Sequence, residues 1–132
     1  MNINLARLHL FVGIVGMLVF VLTGQHMALI HNGLVDMADG PRVLIRTAHL
    51  YIMLCSAINI VIGIYARELR ISLVQVIISS ILISAPIFMT LEYFFGTLEV
   101  NTLRPFAYIP LIAVFAAMAL LVLRAWWEQR RK

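Results

Sequence analysis

The chain has 132 residues, of which 63% are hydrophobic and only 12% are charged, and its mean hydropathy is +1.00. A soluble domain of this length needs a larger polar surface, so the composition excludes an ordinary soluble protein. The formal net charge is +4, and because membrane topology explains it, we expect no nucleic acid partner.

Four uncharged windows, residues 8–31, 47–65, 71–91 and 105–123, each approach the roughly 20 residues that cross a lipid bilayer as a helix. Short connections between successive spans favour antiparallel neighbours. We therefore predict an all-α integral membrane protein whose single domain is a four-helix up-down-up-down bundle. Its helices are expected over about 5–31, 42–66, 72–95 and 105–127 of residues 1–132.

Local signals mark the ends and bends of these helices. Asn32 and Gly33 form a typical carboxy-terminal cap for helix 1, and Ser72 can serve as the N-cap of helix 3. Pro86 and Pro110 lie inside spans and should bend helices 3 and 4.

Basic residues are distributed unevenly between the two sides of such a bundle. Seven would share one side and three the other: Arg7, Arg67, Arg70, Arg124, Arg130, Arg131 and Lys132 against Arg42, Arg46 and Arg104. The positive-inside rule then places both termini in the cytoplasm. We expect a multi-pass protein of a bacterial-type inner (plasma) membrane.

Two histidines fall at matching depth on helices 1 and 2. His26 lies five residues before the predicted end of helix 1, and His49 lies six or seven after the predicted start of helix 2. At a rise of 1.5 Å per residue, both lie about 8–10 Å below the outer end of the hairpin. Neutral imidazole is the commonest transition-metal ligand, and facing helices of a bundle supply cofactor ligands. We therefore predict that His26 and His49 bind one shared metal centre.

Three features favour haem at this centre. Arg42 and Arg46 precede His49 by seven and three residues, so they share its helix face, where cations suit haem propionates. Ser56 and Gly63 continue this face at seven-residue steps and would leave a slot for a flat macrocycle, although close helix packing uses the same residue types. Two nitrogen donors without a matching Cys or acidic cluster suit bis-imidazole haem iron better than tetrahedral zinc.

With these ligands, residues 22–51 resemble the ligand region of small four-helix membrane b-type cytochromes. The resemblance covers the architecture and the two histidines, and it implies one haem b per chain with His26 and His49 as axial ligands. Because both axial positions are filled, we expect electron transfer, which would make any enzymatic activity that of an oxidoreductase. Candidate redox partners are quinol (the reduced quinone) in the membrane, superoxide, or a periplasmic redox protein.

Charged side chains surround this predicted site. Glu92, near the outer end of helix 3, could accept a hydrogen bond from a ligand imidazole, handle protons, or pair with Arg46 or Arg104. Arg104 is also expected to join Arg42 and Arg46 in a cationic rim that attracts anions.

The other two histidines have weaker claims to a ligand role. His31 is about 140° around the helix from His26, so we expect it to face solvent or cap the helix, unless the helix unwinds and makes it an alternative ligand. His9 lies about 25 Å from His26 along the axis, near the cytoplasmic surface and its headgroups. A second haem there would need a ligand from another subunit of a homo-oligomer.

Two other classes of function stay open. One is a small metal-handling or transport protein, although helix 1 has no buried glutamate of the kind four-span drug exporters use. The other is a cofactor-free structural subunit of a larger membrane complex. The sequence contains no nucleophile–base pattern, and we expect no catalytic residue.

Overall fold

In the computed structural model, residues 5–65, 73–99 and 104–130 are described. This part of the chain is all-helical, with four α-helices and a short 3₁₀ turn at Asn32–Leu34. The α-helices are α1 Leu5–Ile30, α2 Asp39–Tyr65, α3 Leu73–Phe95 and α4 Pro105–Arg130. The all-α prediction is confirmed.

Three of the helices are long and apolar enough to cross a membrane, namely α1, α2 and α3. The apolar part of α4 is shorter and covers Ala107–Leu123. Many large apolar side chains on the helices are exposed, as expected where lipid rather than water is the solvent. These features indicate a membrane protein.

The helix ends differ from the prediction by a few residues. α2 begins at Asp39 rather than near residue 42, and the amide of Arg42 donates to the carbonyl of Ala38 at 3.1 Å. Pro41 does not delay the helix, because amides in a first turn have no intrahelical acceptor and a missing one costs little. The predicted N-cap Ser72 and the predicted end of helix 2 at 66 lie outside the described residues.

The turn after α1 uses left-handed backbone at three consecutive residues. The φ angles of Asn32, Gly33 and Leu34 are +47°, +65° and +65°. For a residue with a Cβ this conformation costs about 1–2 kcal/mol. Burial of the Leu34 side chain, which is 1% exposed, offsets that cost.

Helices α1 and α2 approach so closely that glycine is needed at the contact. A Cβ on Gly13 would lie 2.6 Å from Cγ1 of Ile60, and one on Gly63 would lie 2.7 Å from the backbone nitrogen of Leu10. Membrane helices often associate through such small residues, because no hydrophobic force draws them together.

The core lies where α3 contacts the other helices. Its buried members come from three helices: Ile52 and Cys55 of α2, Ile78, Leu82, Ala85 and Met89 of α3, and Val114 and Ala117 of α4. α3 also packs against α1, so it contacts all three of the other α-helices.

Candidate functional site

The two predicted ligand histidines belong to one hydrogen-bonded group of side chains. Nδ1 of His26 lies 3.0 Å from the hydroxyl of Tyr93, which donates to the backbone carbonyl of Thr23 at 3.1 Å. The hydroxyl of Thr23 lies 2.8 Å from Nδ1 of His49. We call Thr23, His26, His49 and Tyr93 the histidine–tyrosine cluster; it links α1, α2 and α3.

Aromatic contacts hold both imidazoles in place. Phe20 stacks on His49 with ring centroids 4.2 Å apart and an interplanar angle of 19°. Tyr93 and Phe94 meet the ring of His26 edge-on, at centroid distances of 5.9 Å and 5.7 Å. The centroid of Tyr93 is also 6.4 Å from that of His49, so one tyrosine contacts both histidines.

Gly24 lies beside the far edge of the His49 ring. A Cβ at this position would lie 3.4 Å from Cε1 and 3.7 Å from Nε2 of His49, which is ordinary van der Waals contact. Because residue 24 is glycine, position 24 contributes no side chain against Nε2. Both His26 and His49 are half-buried.

His31 lies closer to His26 than its sequence spacing predicts. The two ring centroids are 5.2 Å apart in an edge-on contact, and His31 is exposed. The expected separation of about 140° assumed a continuous helix. Because α1 ends at Ile30, the backbone turns at His31 and its ring returns to His26.

Of the two arginines that precede His49, Arg42 has partners in the preceding turn and Arg46 is exposed. Arg42 pairs with Asp39 at 3.3 Å and donates to the carbonyls of Val35 and Met37 at 3.2 Å and 2.6 Å. It therefore fastens the turn before α2 to the helix. Arg46 is exposed. Of the predicted propionate partners on α2, only Arg46 presents an exposed side chain.

The expected slot beside Ser56 and Gly63 is taken up by α1. A Cβ on Gly16 would collide with the Ser56 hydroxyl, and Gly63 lies against the backbone of Leu10. Ser56 donates to the carbonyl of Ile52 at 2.6 Å, within its own helix. These small side chains serve close helix packing, which was the other interpretation of their spacing.

Glu92 and Arg104 form a buried ion pair between the end of α3 and the start of α4. Nε of Arg104 lies 2.5 Å from Oε1 of Glu92, and the two residues are 6% and 2% exposed. Gly96 packs against this carboxylate and leaves no room for a Cβ. Among the roles considered for Glu92, the structure shows the salt bridge. Arg104 is therefore buried and paired, and it does not join an exposed cationic rim with Arg42 and Arg46.

A second polar contact, which the sequence did not predict, lies toward the other end of α1. His9 is 1% exposed, and its Nδ1 lies 2.6 Å from Oδ1 of Asn59. The Asn59 amide nitrogen donates to the carbonyls of Cys55 and Leu82 at 2.9 Å and 2.7 Å. His9 is thus buried between helices rather than placed among headgroups.

Pro86 is the sequence signal that could have identified Asn59. Proline has no amide hydrogen, so the carbonyl four residues earlier, that of Leu82, loses its helical donor. Buried carbonyls need a partner, and Asn59 of α2 supplies it.

Two cavities lie away from the cluster. One of about 230 Å³ between α1 and α3 is lined by Phe11, Gly16 and Pro86 among others, and one of about 320 Å³ between α3 and α4 includes Phe88 and Pro110. Neither is lined by a histidine. Within the described ranges, no three or more His, Cys, Asp and Glu side chains group so as to hold a metal ion.

Comparisons with protein-family models, with curated proteins and with solved structures found no match for this chain.

Proposed function

We propose that the chain is a membrane electron-transfer protein that binds one haem b through His26 and His49. The observation that carries this proposal is the histidine–tyrosine cluster, in which Tyr93 contacts both imidazoles. Two imidazoles from different helices that both contact one tyrosine are suited to bind a shared cofactor.

The donor set fits haem better than a metal ion held by protein alone. A structural or catalytic zinc site takes three or four protein ligands, and the described residues contain no such group. Haem iron already has its equatorial ligands and needs only two axial donors from the protein. When bound, haem supplies one-electron redox chemistry at this position. The exposed Arg46 is a cation available to the haem carboxylates.

The membrane arrangement is part of the same proposal. In an up-down-up-down bundle with cytoplasmic termini, the cluster lies near the extracytoplasmic face of a bacterial-type inner membrane. The seven-to-three distribution of basic residues supports this orientation. Quinol, superoxide and a periplasmic redox protein are the proposed electron partners.

Visible spectra of the protein purified from cells with adequate haem supply test the proposal. We expect a Soret band and a dithionite-reduced α-band in the wild type, with strong loss of bound haem in His26→Ala and His49→Ala. His31→Ala tests whether His31, which is exposed and contacts His26 edge-on, is a ligand instead; on this proposal it should keep the haem. A colourless wild type, or a Soret band unchanged in His26→Ala and His49→Ala, would refute the proposal.

A cofactor-free structural subunit is the second candidate. It is favoured by the close packing of α1 on Ser56 and Gly63, where the sequence suggested a slot. This candidate predicts co-purification with a stoichiometric larger membrane partner and no bound prosthetic group. Haem in the purified chain together with no such partner would exclude it.

A further inference from the structure

The contacts of the histidine–tyrosine cluster can all be hydrogen bonds in only one assignment of the protons. Tyr93 has a single hydroxyl proton, and it donates that proton to the carbonyl of Thr23 at 3.1 Å. The same oxygen lies 3.0 Å from Nδ1 of His26. For both contacts to be hydrogen bonds, the proton must point to the carbonyl and the tyrosine oxygen must accept from His26. Nδ1 of His26 therefore carries a hydrogen.

The same argument from the number of hydroxyl protons applies to His49. The hydroxyl of Thr23 lies 3.0 Å from the carbonyls of both Val19 and Phe20, and a carbonyl can only accept. For the contact with His49 to be a hydrogen bond as well, the single hydroxyl proton of Thr23 must be directed to these backbone acceptors. The contact of 2.8 Å to Nδ1 of His49 is then a bond donated by the imidazole. Nδ1 of His49 also carries a hydrogen.

In this assignment, Tyr93 and Thr23 pass no proton from one histidine to the other. The protons of Tyr93 and Thr23 both end on backbone carbonyls of α1, which have no proton to pass on. The cluster is a fixed hydrogen-bond pattern that leaves the second nitrogen of each ring with its lone pair.

We propose that Thr23 and Tyr93 are positioning residues that lock His49 and His26 as Nδ1–H tautomers. Each ring would then keep its Nε2 lone pair available to an electron-pair acceptor such as a transition-metal centre. Metal-ligating histidines commonly donate their other ring nitrogen to such an orienting group. That the acceptor is haem iron rests on the proposed function, whereas the tautomer lock is a property of the protein without haem.

Nitrogen-15 NMR of histidine-labelled, haem-free protein in detergent micelles tests the lock, at a mildly alkaline pH where imidazole is neutral. We expect His26 and His49 to be Nδ1–H tautomers. His9 is an internal reference that should also be an Nδ1–H tautomer. The amide nitrogen of Asn59 donates to two carbonyls, so its oxygen faces Nδ1 of His9 and can only accept. Exposed His31 should show a tautomer mixture.

Variants separate the two positioning residues. Tyr93→Phe should release the tautomer of His26 alone, and Thr23→Val that of His49 alone. Thr23→Ser is the matched control: it keeps the hydroxyl and should keep the lock. In haem-loaded protein, Thr23→Val should also shift the midpoint potential relative to Thr23→Ser.

The outcomes distinguish this inference from the proposed function. An Nε2–H tautomer at His26 or His49 in the wild type overturns the lock, and this measurement needs no variant to fold. Tautomers unchanged in both Thr23→Val and Tyr93→Phe overturn it as well. Locked tautomers in a protein that never binds haem support the inference and contradict the proposed function.

Discussion

At the scale of single residues, Asn59 compensates for a backbone donor that Pro86 removes. Asn59→Leu leaves the Leu82 carbonyl and Nδ1 of His9 without partners in the core. We expect the free energy of unfolding to fall by about 1–3 kcal/mol, measured by reversible denaturation in detergent.

A double-mutant cycle tests the cause of that loss. Pro86→Ala restores an amide that can donate to Leu82, so Asn59→Leu should cost less in the Pro86→Ala background. Equal costs in both backgrounds would show that Asn59 does not act through this carbonyl.

The buried ion pair gives a second prediction at this scale. Arg104→Met leaves Glu92 buried without its cation, and removal of one partner of a buried pair costs about 3–5 kcal/mol. The double variant Glu92→Gln/Arg104→Met should cost clearly less in the same unfolding assay. A double variant at least as unstable as Arg104→Met would contradict this account.

Sequence reasoning placed His26 and His49 at matching depth, because depth along a helix follows from residue counting, and the structure brings both into one hydrogen-bonded cluster. It did not identify Thr23 or Tyr93, since contacts between helices leave no periodic signal at either position. Arg42 was assigned to the site, yet a nearby carboxylate and two loop carbonyls bind it instead. Short-range partners are close in every conformation of the turn, so they compete well with a distant site.

At the scale of helices, the contact between α1 and α2 depends on glycines, which have no side chain to separate the two backbones. Gly63→Ala would place a methyl 2.7 Å from the backbone nitrogen of Leu10, which cannot move without separating the helices. We expect a loss of about 1–3 kcal/mol in unfolding free energy. Gly24→Ala is the matched control: its methyl makes ordinary contact, and alanine favours the helix by up to about 1 kcal/mol. Equal effects of the two substitutions would contradict this packing.

The number and approximate bounds of the described helices followed from hydropathy. Which neighbouring helix packs against each helix face did not. Ser56 and Gly63 fit a cofactor slot and close packing equally well, because both need small side chains. The position of α1 decides between a cofactor slot and close packing, and the sequence pattern of α2 carries no information about that position.

At the scale of the whole molecule, the charge distribution predicts orientation in the membrane. Cys55 is the single cysteine in the sequence and is buried, so Cys55→Ala provides a background for labelling. In that background, an impermeant maleimide added to intact cells should label Asp36→Cys but not Lys132→Cys. The reverse pattern would invert the proposed orientation and place the histidine–tyrosine cluster near the cytoplasm.

The central claim is that His26 and His49 hold one haem between them, and the coordination state of the iron tests it most directly. Electron paramagnetic resonance of the oxidised wild type should show six-coordinate, low-spin iron. Haem retained or reconstituted in His26→Ala and in His49→Ala should be five-coordinate and high-spin in both. A wild type that takes up no haem, or a low-spin signal that survives in either variant, would contradict the claim.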